Sequence, residues 1–206
     1  MNKNKLDEKI ISKSIEVARR NWKCWSEVYE HNLNKNKNPL LMDKDLFNAF
    51  CHEYSVGRTI RKNTREDLRK KLIKLKDLGE VLKDSTGGRL DKLESELRPD
   101  FGTREGKSKL ISFVSKVAAF LSPENFIAYD QYAKKGVRNL LGRRKMNNYA
   151  TYLEAVKEIM LNKHDAFTRQ VKKAKGPRFE TDRKFLMRVL DVYLMKVGDR
   201  KMNINN

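Results

Sequence analysis

Cysteine is scarce in this 206-residue chain: only Cys24 and Cys51 occur, and neither has a second cysteine or a histidine at metal-ligand spacing apart from the adjacent His52. A four-cysteine zinc module or iron–sulfur cluster is excluded by count, and no metal or cofactor is expected. Long apolar runs are missing too. None approaches the roughly 18 to 20 residues that span a bilayer, and the opening MNKNKLDEKI lacks the apolar stretch of a signal peptide. These absences predict a cytoplasmic protein with no membrane partner. Sustained alternation of polar and apolar residues and clusters of β-branched residues are also lacking, which argues against a sheet and for an all-α fold. There is no internal repeat, and low complexity is confined to the short stretch HNLNKNKNP at 31–39.

Acidic residues are in deficit, with 27 Asp plus Glu against 46 Lys plus Arg and a formal net charge of +19. Such an excess fits a polyanionic partner. The plainer reading is a solvated basic surface produced by a coding bias toward Lys and Asn. The length suits one domain, 1–206, or two closely packed lobes.

Helical periodicity places a first helix at about Asp7 to Tyr29, with Ile10, Ile11, Ile15, Val17, Ala18, Trp22, Trp25 and Val28 on its apolar side. The Asn-rich stretch ends it. A second helix is expected at about Lys44 to Tyr54, and a third from Thr64, which offers a cap ahead of the repeating Leu68, Leu72, Leu75, Leu78 and Leu82. Gly87 and Gly88 close that section. A short helix, Leu90 to Leu97, leads into a turn at Pro99, Gly102 and Gly106, and an apolar helix then runs up to Pro123. Asp130 is placed to cap a helix that ends near Gly142, because its carboxylate can accept bonds from the first free backbone N–H groups. A long helix from about Asn148 to Lys173, a turn at Gly176 and Pro177, a last helix from Asp182 to about Val197 and a frayed tail complete the chain.

Within the segment 107–141, Ser115-Lys116-Val117-Ala118 is followed by an apolar stretch ending in Tyr129-Asp130. This arrangement resembles the active-site core of helix-hairpin-helix DNA glycosylases, in particular the 8-oxoguanine branch. There a Ser/Thr-Lys-Val-Ala stretch opens the helix after the hairpin and an Asp begins the next helix. Fourteen positions separate Lys116 from Asp130, somewhat fewer than in the best-known members, and the positions before the lysine read Leu110-Ile111-Ser112-Phe113-Val114, with the nearest glycines further back at Gly102 and Gly106. The resemblance implies a two-lobed helical fold with a cleft between the lobes, helices of 7–97 and 148–197 flanking the motif region, and an enzyme that flips a base out of DNA and excises it. It also implies Asp130 and Lys116 as catalytic residues.

The chemistry suits these residue types. Breaking an N-glycosidic bond builds positive charge on the deoxyribose, which a nearby carboxylate stabilises. A helix N-terminus favours the ionised carboxylate. A lysine amine made more available by desolvation or by neighbouring cations such as Lys107 and Lys109 could attack the anomeric carbon, and the imine so formed would permit strand cleavage. Taken singly, a lysine in so basic a chain is ordinarily a solvated charge, and an aspartate before a helix is ordinarily a cap.

Base flipping needs phosphate contacts and a stacking pocket. Arg104, Lys107, Lys109, Lys134, Lys135, Arg138, Arg143 and Arg144 are the candidate phosphate-binding residues, and a solvated helix face is the plain alternative. Trp22, Trp25, Phe113, Tyr129 and Tyr132 are the candidate base pocket; aromatics at helical spacing more often belong to a core. The expected partner is double-stranded DNA bound by a monomer, in repair or in defence against phage DNA with hypermodified bases. Two other readings stand beside this one: a non-enzymatic helical DNA-binding protein, and a helical subunit whose basic face meets an acidic partner.

Overall fold

The computed structural model describes residues 7–31, 39–54, 60, 64–75, 78–101, 110–142, 145–173 and 183–199, with the backbone alone at 26–31 and 39. Among these residues the chain is all-helical, as its composition predicts, with ten helices and no strand. They are α1 (Glu8–His31), α2 (Pro39–Met42), α3 (Lys44–Glu53), α4 (Arg65–Lys74), α5 (Leu78–Lys83), α6 (Gly88–Phe101), α7 (Leu110–Leu121), α8 (Gln131–Leu141), α9 (Tyr149–Lys173) and α10 (Arg183–Gly198). No helix among the described residues is long and apolar enough to cross a membrane.

The chain divides into two compact units, one of residues 1–24 with 127–206, the other of residues 25–126. In the first, the Asp7 carboxylate accepts from the backbone N–H groups of Lys9 and Ile10 and so starts α1. Ile11, Ile15, Ala18 and Trp22 from α1 are buried. Trp22 meets Phe185 of α10 edge to face, with ring centroids 5.8 Å apart. Helices α8 and α10 touch backbone to backbone. A Cβ on Gly136 would lie 2.1 Å from the Leu194 carbonyl oxygen, and one on Gly198 would lie 1.9 Å from that of Tyr132.

The second unit is built on an aromatic cluster. Trp25, Phe47, Phe50, Phe113 and Phe120 are buried, and Phe120 lies 5.1 Å from Trp25 and 5.2 Å from Phe50 in edge-to-face contacts. The Trp25 indole N–H finds a carboxylate oxygen of Glu53 at 2.8 Å, which satisfies a polar atom that burial would otherwise strand. Arg69 on α4 donates to the carbonyls of Leu41 and Met42 at the end of α2, and Glu66 fixes its guanidinium at 2.8 Å.

Three elements differ from the sequence expectation. The leucine-rich stretch from Leu68 is two helices, because Leu75 takes an extended backbone (ψ 105); Leu68 and Leu72 are fully buried, whereas Leu78 and Leu82 are half-exposed and give the stripe no common face to bury. Thr64 makes no side-chain cap bond. Helix α6 runs past Pro99 to Phe101. The expected turns at Gly102, Gly106, Gly176 and Pro177, and the tail from residue 200, lie outside the described residues.

Candidate active site

The segment Ile127–Asp130 belongs to no helix or strand and delivers the chain into α8. Asp130 has φ −129 and ψ 171 and caps the helix, its Oδ1 accepting from the Ala133 N–H at 2.8 Å. No hydrogen bond reaches Oδ2 among the described residues, and the side chain is half-exposed. A helix N-terminus holds this carboxylate, where the backbone dipoles favour a negative charge. At the other end of α8, Gly142 takes the left-handed backbone (φ 81) that an L side chain resists.

Helix α8 is sharply two-sided. Ala133, Gly136 and Val137 are buried, while Gln131, Tyr132, Lys135 and Arg138 are exposed. Lys135 and Arg138 lie three residues apart on that exposed side, and neither is ion-paired among the described residues. Lys134 is more occupied, with its ammonium 4.5 Å from the Tyr129 ring centroid.

Tyr129 and Tyr132, both expected in the base pocket, have opposite fates. Tyr132 is 40% exposed, whereas Tyr129 is buried against Tyr149 and Tyr152, at ring separations of 6.0 and 5.0 Å. Trp22 of the same unit is also buried. In the other unit Trp25 and Phe113 are core residues, Phe113 packing edge to face on Phe47.

Lys116 lies on α7 in the 25–126 unit, half-exposed, with its ammonium nitrogen donating to the Tyr54 carbonyl at 2.9 Å. Tyr54 is the C-cap of α3, so Lys116 also satisfies one of the carbonyls that a helix end leaves open. Lys116 and Asp130 thus belong to different units. Arg104, Lys107, Lys109, Arg143 and Arg144 lie outside the described residues.

Other nucleophile and metal chemistry finds little footing. Burial pushes the Cys51 thiol up to about 11, against a smaller opposing pull from Arg65, so it stays protonated near neutral pH. Among the described residues no three His, Cys, Asp or Glu side chains come together as metal ligands. A groove beside the start of α1 and the second half of α9, lined by Ile11, Leu161, Asp165 and Arg169 among others, contains none of the candidate residues.

Sequence reasoning passed over Tyr149 and Tyr152. Both are fully buried on α9. The Tyr149 hydroxyl donates to the Ile127 carbonyl at 2.9 Å and accepts from the Ile127 N–H at 3.2 Å, and the Tyr152 hydroxyl donates to the Ala128 carbonyl at 2.9 Å. Their spacing of three was the available signal, since it puts two tyrosines on one helix face. No family model, curated protein or solved structure matches this chain.

Proposed function

We propose that this protein is a DNA glycosylase related to the helix-hairpin-helix enzymes, with Asp130 as the residue that stabilises the charge developed on the deoxyribose. The setting of Asp130 carries the reading: a half-exposed carboxylate with one oxygen committed to the Ala133 N–H, at the head of a helix that exposes Lys135 and Arg138. Asp7 and Asp43 also cap their helices through one oxygen, so the weight rests on the place of Asp130 in the glycosylase-like pattern and on the cations of its own helix. An Oδ2 left available, on a helix that exposes Lys135 and Arg138 for phosphate, is what an oxocarbenium-stabilising carboxylate requires.

In the reaction the C1′–N bond breaks and its electron pair leaves with the base, whose nitrogen takes a proton. Asp130 balances the positive charge left on the sugar. Water completes the reaction by adding hydroxide to C1′, its proton passing to the Asp130 carboxylate. In the alternative route the Lys116 amine adds to C1′, loses a proton and opens the sugar to an imine. The Lys116 bond to Tyr54 favours the water route, because the amine must give up that partner before it can attack.

Duplexes containing 8-oxoguanine, and phage DNA with hypermodified bases, are the substrates on which to measure free-base release. Asp130→Asn keeps a cap-competent side chain but removes the charge, so release should fall by at least about a hundredfold while DNA affinity is retained. Unchanged release in that variant, or none from the parent on either DNA, defeats the enzyme reading and leaves a DNA-binding protein. Borohydride trapping separates the routes. The water route predicts no adduct, whereas an adduct that vanishes in Lys116→Gln assigns the lysine as nucleophile.

A further inference from the structure

The three residues before Asp130 are buried but belong to no helix or strand, so their backbone groups need partners from elsewhere. Two side chains of α9 provide them. Tyr149 brackets Ile127 by taking its N–H and donating to its carbonyl, and Tyr152 donates to the carbonyl of Ala128. Their rings pack at right-angled or tilted inclinations around Tyr129, the residue that immediately precedes Asp130. Asp130 is therefore fixed from both directions: by the tyrosine bonds on its N-terminal side and by its own bond to Ala133 on the C-terminal side.

The Tyr152 hydroxyl also keeps its donor proton at neutral pH. Burial, with smaller contributions from Asp191, Tyr149, Asp130 and Tyr129, holds the Tyr152 hydroxyl well above its ordinary value.

We infer that Tyr149 and Tyr152 are positioning residues, whose hydroxyls hold the backbone of Ile127 and Ala128 so that the Asp130 carboxylate meets the reacting sugar; the inference rests on the glycosylase reading. Neither tyrosine touches DNA. A reacting group displaced by about 1 Å loses on the order of a hundredfold in rate, so the effect belongs in the chemical step and not in binding.

The test compares Tyr149→Phe, Tyr152→Phe and Tyr193→Phe in the full chain. Tyr193 is the matched control. It is buried in the same unit on α10, its hydroxyl bonds to the Asp7 backbone, and burial lifts it to about 12, but its bond lies at the start of α1. Single-turnover base release should fall about 10- to 100-fold in Tyr149→Phe and Tyr152→Phe, with DNA affinity within about twofold, and Tyr193→Phe should release base like the parent. The Ala133 amide resonance, which reports the Asp130 cap, should shift in the first two variants and hold still in the third.

Parent-like rates in folded Tyr149→Phe and Tyr152→Phe overturn the positioning role, and if Asp130→Asn is still dead the glycosylase reading survives that result. An equal loss in Tyr193→Phe also overturns it, since the cause is then general destabilisation. If the parent releases no base, the glycosylase reading fails and the catalytic inference falls with it. Should either phenylalanine variant not fold, the other carries the test alone, because the two hydroxyls bond different residues.

Discussion

Asp84 shows how one carboxylate can organise a helix start. Its Oδ1 accepts from the Thr86 N–H at 3.0 Å and the Thr86 hydroxyl at 2.7 Å, and its Oδ2 accepts from the Arg89 N–H at 2.8 Å. Gly87, with φ 82, supplies the left-handed step that lets the chain turn into α6. Burial on its own would raise the Asp84 carboxyl. The Thr86 side-chain bond, the backbone bonds from Arg89 and Thr86 and the Arg89 charge outweigh it and hold the group below its ordinary value of 3.8. A depressed folded value means that the stabilisation is present in full above the unfolded value and disappears as pH falls through the folded one. Urea unfolding compared at pH 7 and pH 3 should therefore show a smaller acid loss in Asp84→Asn than in the parent; equal losses would show that these bonds do not favour the charged form. In the sequence nothing singles this residue out, and only Gly87 and Gly88 mark the close of that section. Asp130 was legible because a cap is a local event, read within three residues. Tyr149 and Tyr152 were not, because their partners lie 22 and 24 residues away and only the fold brings them together.

Helix α8 is held by the closeness of its contact with α10. With the hypothetical Cβ of Gly136 at 2.1 Å and that of Gly198 at 1.9 Å from backbone oxygens, an added methyl has no flexible neighbour to push aside, and the helices must separate. Gly136→Ala and Gly198→Ala should each destabilise the protein by about 2 kcal/mol or more. Gly79→Ala in α5, where nothing lies within 4 Å, should instead gain up to about 1 kcal/mol of helix propensity. Thermal melts of the three variants decide this, and parent-like stability in Gly136→Ala would mean that the contact can relax. Such close packing cannot be read from the chain, where a glycine inside a helical pattern registers only as a weak position. The leucine stripe misled in the opposite direction. Its spacing fits one continuous helix, but spacing carries no information on which leucines find a core, and the break at Leu75 follows from that burial. The apolar helix before Pro123 and the amphipathic α9 were legible because their patterns are long, and α10 because its apolar run is buried almost all round from 185 to 194.

For the whole molecule the composition is the strongest guide: a net charge of +19 and an all-helical chain are both plain in the sequence, while the division into two units depends on long-range packing. That division runs through α1, with Trp22 in one core and Trp25 in the other, and it reassigns two tryptophans that helical spacing alone joins in one pocket. The charge predicts how DNA binding responds to salt. Each phosphate neutralised by a lysine or arginine releases condensed counterions, so log Kobs falls with log salt at a slope of about −0.9 per contact. Lys135 and Arg138 are exposed on α8 and unpaired among the described residues, so both are available for such contacts. If both reach phosphate, Lys135→Gln with Arg138→Gln should lower affinity for unmodified and modified duplexes alike and make the salt slope shallower by about two. Fluorescence anisotropy between 50 and 200 mM salt, on the order of the range over which phosphate-dominated binding changes most, provides the measurement. A parent slope near zero would point to an acidic protein partner in place of DNA. A steep parent slope that the double substitution leaves intact would move the phosphate contacts off this face of α8 and onto other basic residues of the chain.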